Sequence, residues 1–546
     1  MLNRRTLLRA SLAGVATPAL LAGMTGRASA TASTVSVDLQ NNTGSGTVYA
    51  YVTGLALDNG NAWYLLQADG RTPYYPSSPP SNGTPLAVDC AIPLNASGAG
   101  ARRITIPRTA GGRIWFSLDS RLTFRLNPGP ALVEPSVTNS ADPNIGIQWG
   151  FCEFTFNSSV LYANISAVDF ASLPIGLKLT TDSGGIQTVP GLPAGGLDTI
   201  CAGLSAQGGG WEQLVVTSGG QNLRALSPNA GIVRNSSLFS GYYSSYVDQV
   251  WAKYASTPLR VNTQASWGTL TGTVSGGLLT FPGAGSFAKP SAADIFSCNT
   301  GPFNVSSAVM GALTARISAA LNRSTLLADA DQPNGENPAT YYTTSPTNHY
   351  ARLVHATSTE GRGYAFPYDD VTPDGGTDQS GFVTAGDPSL LTVTLSPVHG
   401  GGGTTPPSGG TSAYSTIQAA SYSSQSGTVT EPTSDTGGGY DVGYIANGDW
   451  LGYANVDFGS GGATQFLARV ASGAASGVSG LVQVALDSPT ATPVGSFAVA
   501  NTGGWQNWVT IPANISRITG VHTVYLTFAS GQPADFVNVH WFGFAA

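Results

Sequence analysis

Short runs of alternating apolar and polar residues, cut by glycine, proline and asparagine, fill the first part of this chain. TVSVDLQNNT, TVYAYVTGLAL, AWYLLQ, RRITIP, GRIWFSL and LTFRLN all lie between residues 33 and about 190. A period of two sends successive side chains to opposite faces, so each run reads as a strand with one face for a core. Only 10% of the residues are charged and 70 are glycine, which favours turn-rich β structure over long solvated helices.

The period changes further on. SLFSGYYSSYVDQVWAKYA (237–255) and SSAVMGALTARISAALN (306–322) carry apolar residues every three or four positions, and Asn235-Ser236-Ser237 supplies capping residues for the first. Strands return at GTLTGTVSGGLLTFP (268–282) and LLTVTLSPV (390–398). The expected fold class is mainly β: a β-barrel or sandwich with a mixed α/β subdomain beside it, the two forming a groove. HGGGGTTPPSGGTS (399–412) reads as a linker, flexible through glycine and kept apart from its neighbours by Pro406-Pro407. Residues 413–546, with short strands and no helical period, are long enough for a separate β-sandwich of jelly-roll type.

A net charge of −7, a pI near 5.2 and only three lysines (Lys178, Lys253, Lys289) argue against nucleic acid as a partner. Residues 1–30 combine Arg4-Arg5, an apolar run and an Ala28-Ser29-Ala30 site, the pattern of a twin-arginine export signal with a mature chain starting near Thr31. That run is broken by Gly14, Pro18 and Gly23, so a membrane anchor is not expected. Four cysteines, Cys90, Cys152, Cys201 and Cys298, suggest two disulfides in an exported protein, with three pairings open. No close Cys or His pair suits a metal, no cofactor is expected, and His349, His355, His399, His522 and His540 form no triad-like group.

The segment WGFCEFTFNSSVLYANISAVDF (149–170) carries the chemistry. Read as a strand, it places Glu153, Thr155 and Asn157 on one face and Cys152, Phe154 and Phe156 on the other. Asn157-Ser158-Ser159 is turn-like, and Leu161 to Ile165 reads as a returning strand that delivers Asp169. Two carboxyl groups on an apolar scaffold suit glycoside hydrolysis, which needs one protonated acid and one ionised partner. Two acids facing solvent on a hairpin is the bland alternative. Asp369 and Asp370 are the other acid pair near aromatics, suited to bonding loop amides or to lining the groove.

This segment, with ICAGL (200–204), FSCNTGPFN (296–304) and GYAFPYDDV (363–371), resembles glycoside hydrolase family 64 over roughly residues 33–397. GGRIWFS (111–117), ISAVDFASLPIGL (165–177) and YAFPYDD (364–370) also resemble the wider thaumatin-like superfamily. The resemblance implies a secreted, monomeric endo-β-1,3-glucanase acting on laminarin, curdlan or fungal wall glucan, inverting, with short laminari-oligosaccharides as products. It further implies Glu153 as general acid and Asp169 as general base. Thr155 and Asn157 share the strand face of Glu153, which suits them to sugar hydroxyls or to plain surface polarity, and Tyr162 suits stacking on a glucose ring or a core position. A non-catalytic thaumatin-like glucan-binding protein and a glycosidase for another polysaccharide are the alternatives.

Residues 421–459, TGGWQNWVTI (502–511) and DFVNVHWFGF (535–544) resemble a family 6 carbohydrate-binding module. The resemblance implies Tyr444 and Trp505 as stacking rings and Glu431 and Asn538 as polar ligands of a sugar. Many relatives hold a structural calcium through positions that are Ala420 and His540 here, which implies that no such site survives.

Overall fold

The computed structural model describes residues 31–399 and 411–545 apart from 437, 460 and 461. The expected export signal (1–30) and nearly all of the expected linker (399–412) lie outside the described residues. The chain forms two compact units that divide between Gly402 and Gly403, each with its own apolar core.

The frame of the first unit is built from β1 (Thr34–Asn41), β2 (Val48–Ala56), β3 (Ala62–Leu66), β4 (Arg102–Pro107), β5 (Thr109–Leu118), β6 (Trp149–Phe156), β7 (Leu161–Ile165), β8 (Ile175–Thr181), β9 (Ile186–Val189), β10 (Phe382–Ala385) and β11 (Pro388–Leu395). One sheet runs β9–β8–β11–β1–β4, the other β10–β7–β6–β5–β2–β3. β1 and β11 pair in parallel, Ser36 opposite Leu390, so the two ends of this unit close on each other. β1 buries alternate residues, Val35, Val37 and Leu39, as its period of two requires. Close approach also decides β5. Gly112 lies under the Phe154 ring, where an added Cβ would fall 2.4 Å from the ring.

The α/β part contributes α1 (Gly196–Gln207), α2 (Ser244–Tyr254), α3 (Ala308–Arg323) and α4 (His349–Thr357). α2 starts later than its pattern suggests, because Gly241 takes φ +74 and the residues before it close in turns. α3 follows Ser307, whose hydroxyl caps it, and is buried from Ala312 onward. The expected strand at 268–282 is a hairpin, Thr269–Ser275 and Leu278–Phe281, joined by Gly276-Gly277 with φ of +59 and +80.

The cysteine expectation is overturned. No disulfide joins any of the four, and all are buried thiols. They rise from separate places, a loop, β6, α1 and the end of the helix Ala292–Ser297, and each packs into the core on its own. Burial pushes the Cys90, Cys152 and Cys201 thiols up to about 12. The Cys298 thiol donates to the Ile295 and Pro367 carbonyls at 3.3 and 3.4 Å.

The second unit is the expected β-sandwich. One layer runs β15 (Gly504–Ile518), β14 (Ala463–Ser472), β16 (Val537–Ala545), β13 (Tyr440–Ile445) and β12 (Val429–Pro432). The other contains Trp450–Asp457, Val521–Ala529, Ser479–Leu486 and Gly495–Ala500, and Phe466, Phe542, Val484 and Leu526 are among the residues packed in its core.

Candidate active site

Register across the second sheet sets one row of side chains on a common face. Thr53 on β2 stands opposite Arg113 on β5, Arg113 opposite Glu153 on β6, Glu153 opposite Asn164 on β7, and Asn164 opposite Phe382 on β10. Glu153 is the single residue of β6 that is not fully buried. The Arg113 guanidinium donates twice to its Oε1, from Nη2 at 3.0 Å and from Nε at 3.1 Å. Arg113 Nη1 donates to Glu134 Oε2 at 3.2 Å, so one cation serves two carboxylates. Its guanidinium also lies 4.4 Å from the Phe151 ring centroid. Burial works against the Arg113 charge, but Glu153 and Glu134 outweigh it and hold it protonated. Among the described residues no donor reaches Glu153 Oε2.

Asp169 is held through its backbone and its neighbour. Its carbonyl accepts from Ser227 N at 3.0 Å, and Phe170 packs edge-on against Trp149 and Phe151 at 4.8 and 5.9 Å. Phe151 is the ring under Arg113, so a chain of contacts runs from the Asp169 backbone to the Glu153 carboxylate.

The three expected sugar ligands fare differently. Thr155 stands opposite Tyr162 on the row next to Glu153 and is 8% exposed. Tyr162 is half-buried and stacks on Phe382, centroids 5.0 Å apart, so one ring face already has a protein partner. Asn157 leaves the strand: its Oδ1 accepts from Ser159 N and Val160 N at 2.8 and 3.0 Å and closes the turn into β7. Any role toward a sugar narrows to its amide nitrogen.

Sequence reasoning missed Arg113, Glu134, Asn164 and Tyr364. Asn164 is 6% exposed and its Nδ2 has no bonding partner among the described residues, a buried donor directly opposite the acid. Burial first, then Asp370 and Glu153, push the Tyr162 and Tyr364 phenols well above their ordinary range, which places that carboxylate in the same neighbourhood. The adjacent pair Asp369-Asp370 divides. Asp369 is fully buried and accepts from Arg323, from the Ala365 amide and from His355 Nε2. Asp370 is exposed, yet desolvation by the protein packed around it, helped by Asp378 and Asp369 and opposed by Arg316, raises its carboxyl above the usual range.

In the second unit the four expected sugar-binding residues are Tyr444, Trp505, Glu431 and Asn538. Tyr444, φ +57, is 57% exposed and Trp505 is 38% exposed. Asn538 Nδ2 donates to Glu431 Oε1 at 2.8 Å. Asp435 accepts from Arg469 at 2.7 and 2.8 Å and from His540 at 2.9 Å. Among the described residues no group of three or more His, Cys, Asp or Glu side chains is arranged to hold a metal, and no helix is long and apolar enough to cross a membrane.

The glycoside hydrolase 64 family model, described as beta-1,3-glucanase, matches residues 33–395, a span that includes Arg113, Glu153 and Asp169. The chain belongs to the family 64 β-1,3-glucanases. Residues 418–546 of this glucanase match the carbohydrate binding module (family 6). The chain is 30% identical over 408 residues to a glucan endo-1,3-beta-glucosidase of Cellulosimicrobium cellulans, covering 73% of this chain and 71% of that one. A solved laminaripentaose-producing beta-1,3-glucanase in complex with laminaritetraose is 34% identical, with a TM-score of 0.61 over 67% of this chain and 99% of that one. The module region is 40% identical over 129 residues to an arabinoxylan arabinofuranohydrolase of Paenibacillus polymyxa, covering 23% of this chain and 20% of that protein.

Proposed function

We propose that this protein is a secreted, monomeric endo-β-1,3-glucanase that cleaves laminarin, curdlan and fungal wall glucan by a single inverting displacement. Glu153 acts as general acid and Asp169 as general base. The observation that carries this is the one-sided grip of Arg113 on Glu153. With Oε1 occupied by two guanidinium N–H groups, Oε2 is the oxygen left to carry a proton. Glu134 shares the same guanidinium, so one cation is divided between two carboxylates.

In the reaction, Oε2 gives its proton to the glycosidic oxygen as the bond to the anomeric carbon breaks. Water attacks from the opposite face and passes its proton to Asp169, leaving an ionised Glu153 and a protonated Asp169. Arg113 then stabilises the new carboxylate without moving. Thr155, the Asn157 amide and Tyr162 orient the sugar. Short laminari-oligosaccharides are the products, a reading supported by the pentaose-producing relative. The second unit tethers the enzyme to glucan through Tyr444, Trp505, Glu431 and Asn538.

Proton NMR during early hydrolysis of laminari-oligosaccharides tests the mechanism. The α-anomer should appear first, because one displacement inverts the β-linkage. Early β-anomer would mean a covalent intermediate and would overturn the base role of Asp169.

A further inference from the structure

Beneath the module's ligand face lies a carboxylate that none of the expected roles uses. Asp441 on β13 has no solvent exposure and stands in register with Glu431 on β12. Its Oδ1 accepts from Asn538 Nδ2 at 3.3 Å and its Oδ2 from Gln506 Nε2 at 2.9 Å. Asn538 is the expected polar ligand, and Gln506 follows the expected stacking residue Trp505. One buried carboxylate therefore ties together both halves of the site.

The bonds also fix which way each amide points. Asn538 Nδ2 donates inward to Glu431 Oε1, to Asp441 Oδ1 and, at 3.4 Å, to the Trp505 carbonyl. Its Oδ1 accepts from no described residue and lies over Gly443, where an added Cβ would come within 2.9 Å of it. Asn538 thus offers a sugar hydroxyl an acceptor. Gln506 is locked as well, since its Oε1 accepts from Ser434 N at 2.7 Å and from Trp508 Nε1 at 3.2 Å.

We propose that Asp441 is the positioning residue of the module's ligand site and makes the module's hold on glucan depend on pH. A proton on Asp441 must sit on Oδ1 or Oδ2, and either oxygen faces an amide N–H that has no lone pair to receive it. The bond to one amide then weakens, or that amide turns. If Asn538 turns, the sugar loses its acceptor and Glu431 loses its bond. Burial first, then Glu431, push the Asp441 carboxyl up to about 6, while Gln506, Thr433 and His540 on β16 pull the other way. Beyond His540 lie Asp435 and, on β14, Arg469, which complete the charged groups around it.

The inference rests on the module-site reading above, and the test separates the two. Retention on insoluble curdlan is measured from about pH 5 to 8 on the full chain carrying Glu153→Gln, with and without Trp505→Ala. The difference between the two is the module's share. That share should fall about tenfold as pH drops below the Asp441 titration, the scale of a lost charge-assisted bond. Asp441→Asn should cost about tenfold near neutral pH and flatten the profile, since an amide nitrogen then faces an amide nitrogen. The exchange D441N/Q506E restores donor against acceptor and should recover retention without the pH step. A flat profile in the parent, undiminished retention in D441N, or a step that persists in D441N/Q506E and so belongs to His540 would each overturn the assignment. Trp505→Ala without effect would instead overturn the module-site reading.

Discussion

Arg113 and Glu153 face each other across β5 and β6, and the guanidinium spends two of its nitrogens on a single carboxylate oxygen. A symmetric fork would have occupied both oxygens. The remaining nitrogen, Nη1, is turned to Glu134, so one guanidinium serves two carboxylates.

Replacing Arg113 should therefore damage turnover more than binding. Arg113→Ala is expected to lower kcat about 10²-fold or more, in the range of a lost electrostatic contact at a reacting group. It should also move the alkaline limb of the kcat/KM profile, the limb on which a general acid loses its proton, because the cation beside Glu153 is gone. Arg113→Lys should recover little, since a single ammonium cannot serve both acids with the planar fork. An unchanged pH profile in Arg113→Ala would show that Arg113 only supports the fold.

Glu153→Gln and Asp169→Asn should each reduce laminarin hydrolysis by about 10²–10⁴-fold, the usual contribution of a general acid or base. Neither change removes volume, so melting temperatures should stay close to the parent. Near-normal turnover in either variant would remove that residue from the mechanism.

Helix α4 sets the pH range of the first unit through two histidines that shift in opposite directions. Burial, helped by Arg352, lowers His349 from 6.5 to about 4. The unfolded chain then binds the extra proton, so this contribution is present above pH 6.5 and is lost as pH falls toward 4. Burial opposes the charge on His355, but Asp369 and the Gly361 carbonyl outweigh it and raise its pKa above 6.5. Its contribution is complete below 6.5 and is lost as pH rises through the folded value. Melting temperature against pH should pass through a maximum, with His349→Gln flattening the acidic side and His355→Gln the alkaline side. A variant that leaves its own side of the curve unchanged would refute that assignment.

Deleting residues 399–546 should depress activity on curdlan far more than on soluble laminarin. A tether raises local enzyme concentration only at a surface. Trp505→Ala in the full chain should reproduce most of the selective loss. Equal losses on both substrates would refute the targeting role.

A chelator should leave the module's melting temperature and curdlan retention unchanged. Ala420 and His540 stand where the calcium ligands are expected and offer no side-chain oxygen, and His540 is already committed to Asp435. A drop in melting temperature with chelator would mean a bound ion despite those contacts.

The sequence alone determined what depends on neighbours along the chain. Period-two runs marked β1, β2 and β5 to β7, because alternation follows from backbone geometry whatever the partner strand is. The turn at Asn157 was legible from its residues, and so was the separate β-sandwich beyond the Gly/Pro-rich segment. The motif around Glu153 and Asp169 carried the family, and the family 64 model matched the span expected of it. Tertiary structure alone decided what depends on which strands become neighbours. Arg113 reaches Glu153 across 40 residues, and Glu134 reaches Arg113 across 21, only because of the register of β5 on β6 and the path of the following loop. Adjacent Asp369 and Asp370 part company because one turn sends the first inward to Arg323 and His355 and the second to the surface. Four cysteines counted as an even set remain thiols, since a count carries no distance and each is packed in a different part of the core. Period and composition report which face a side chain takes; register, a non-local property, decides what it meets there.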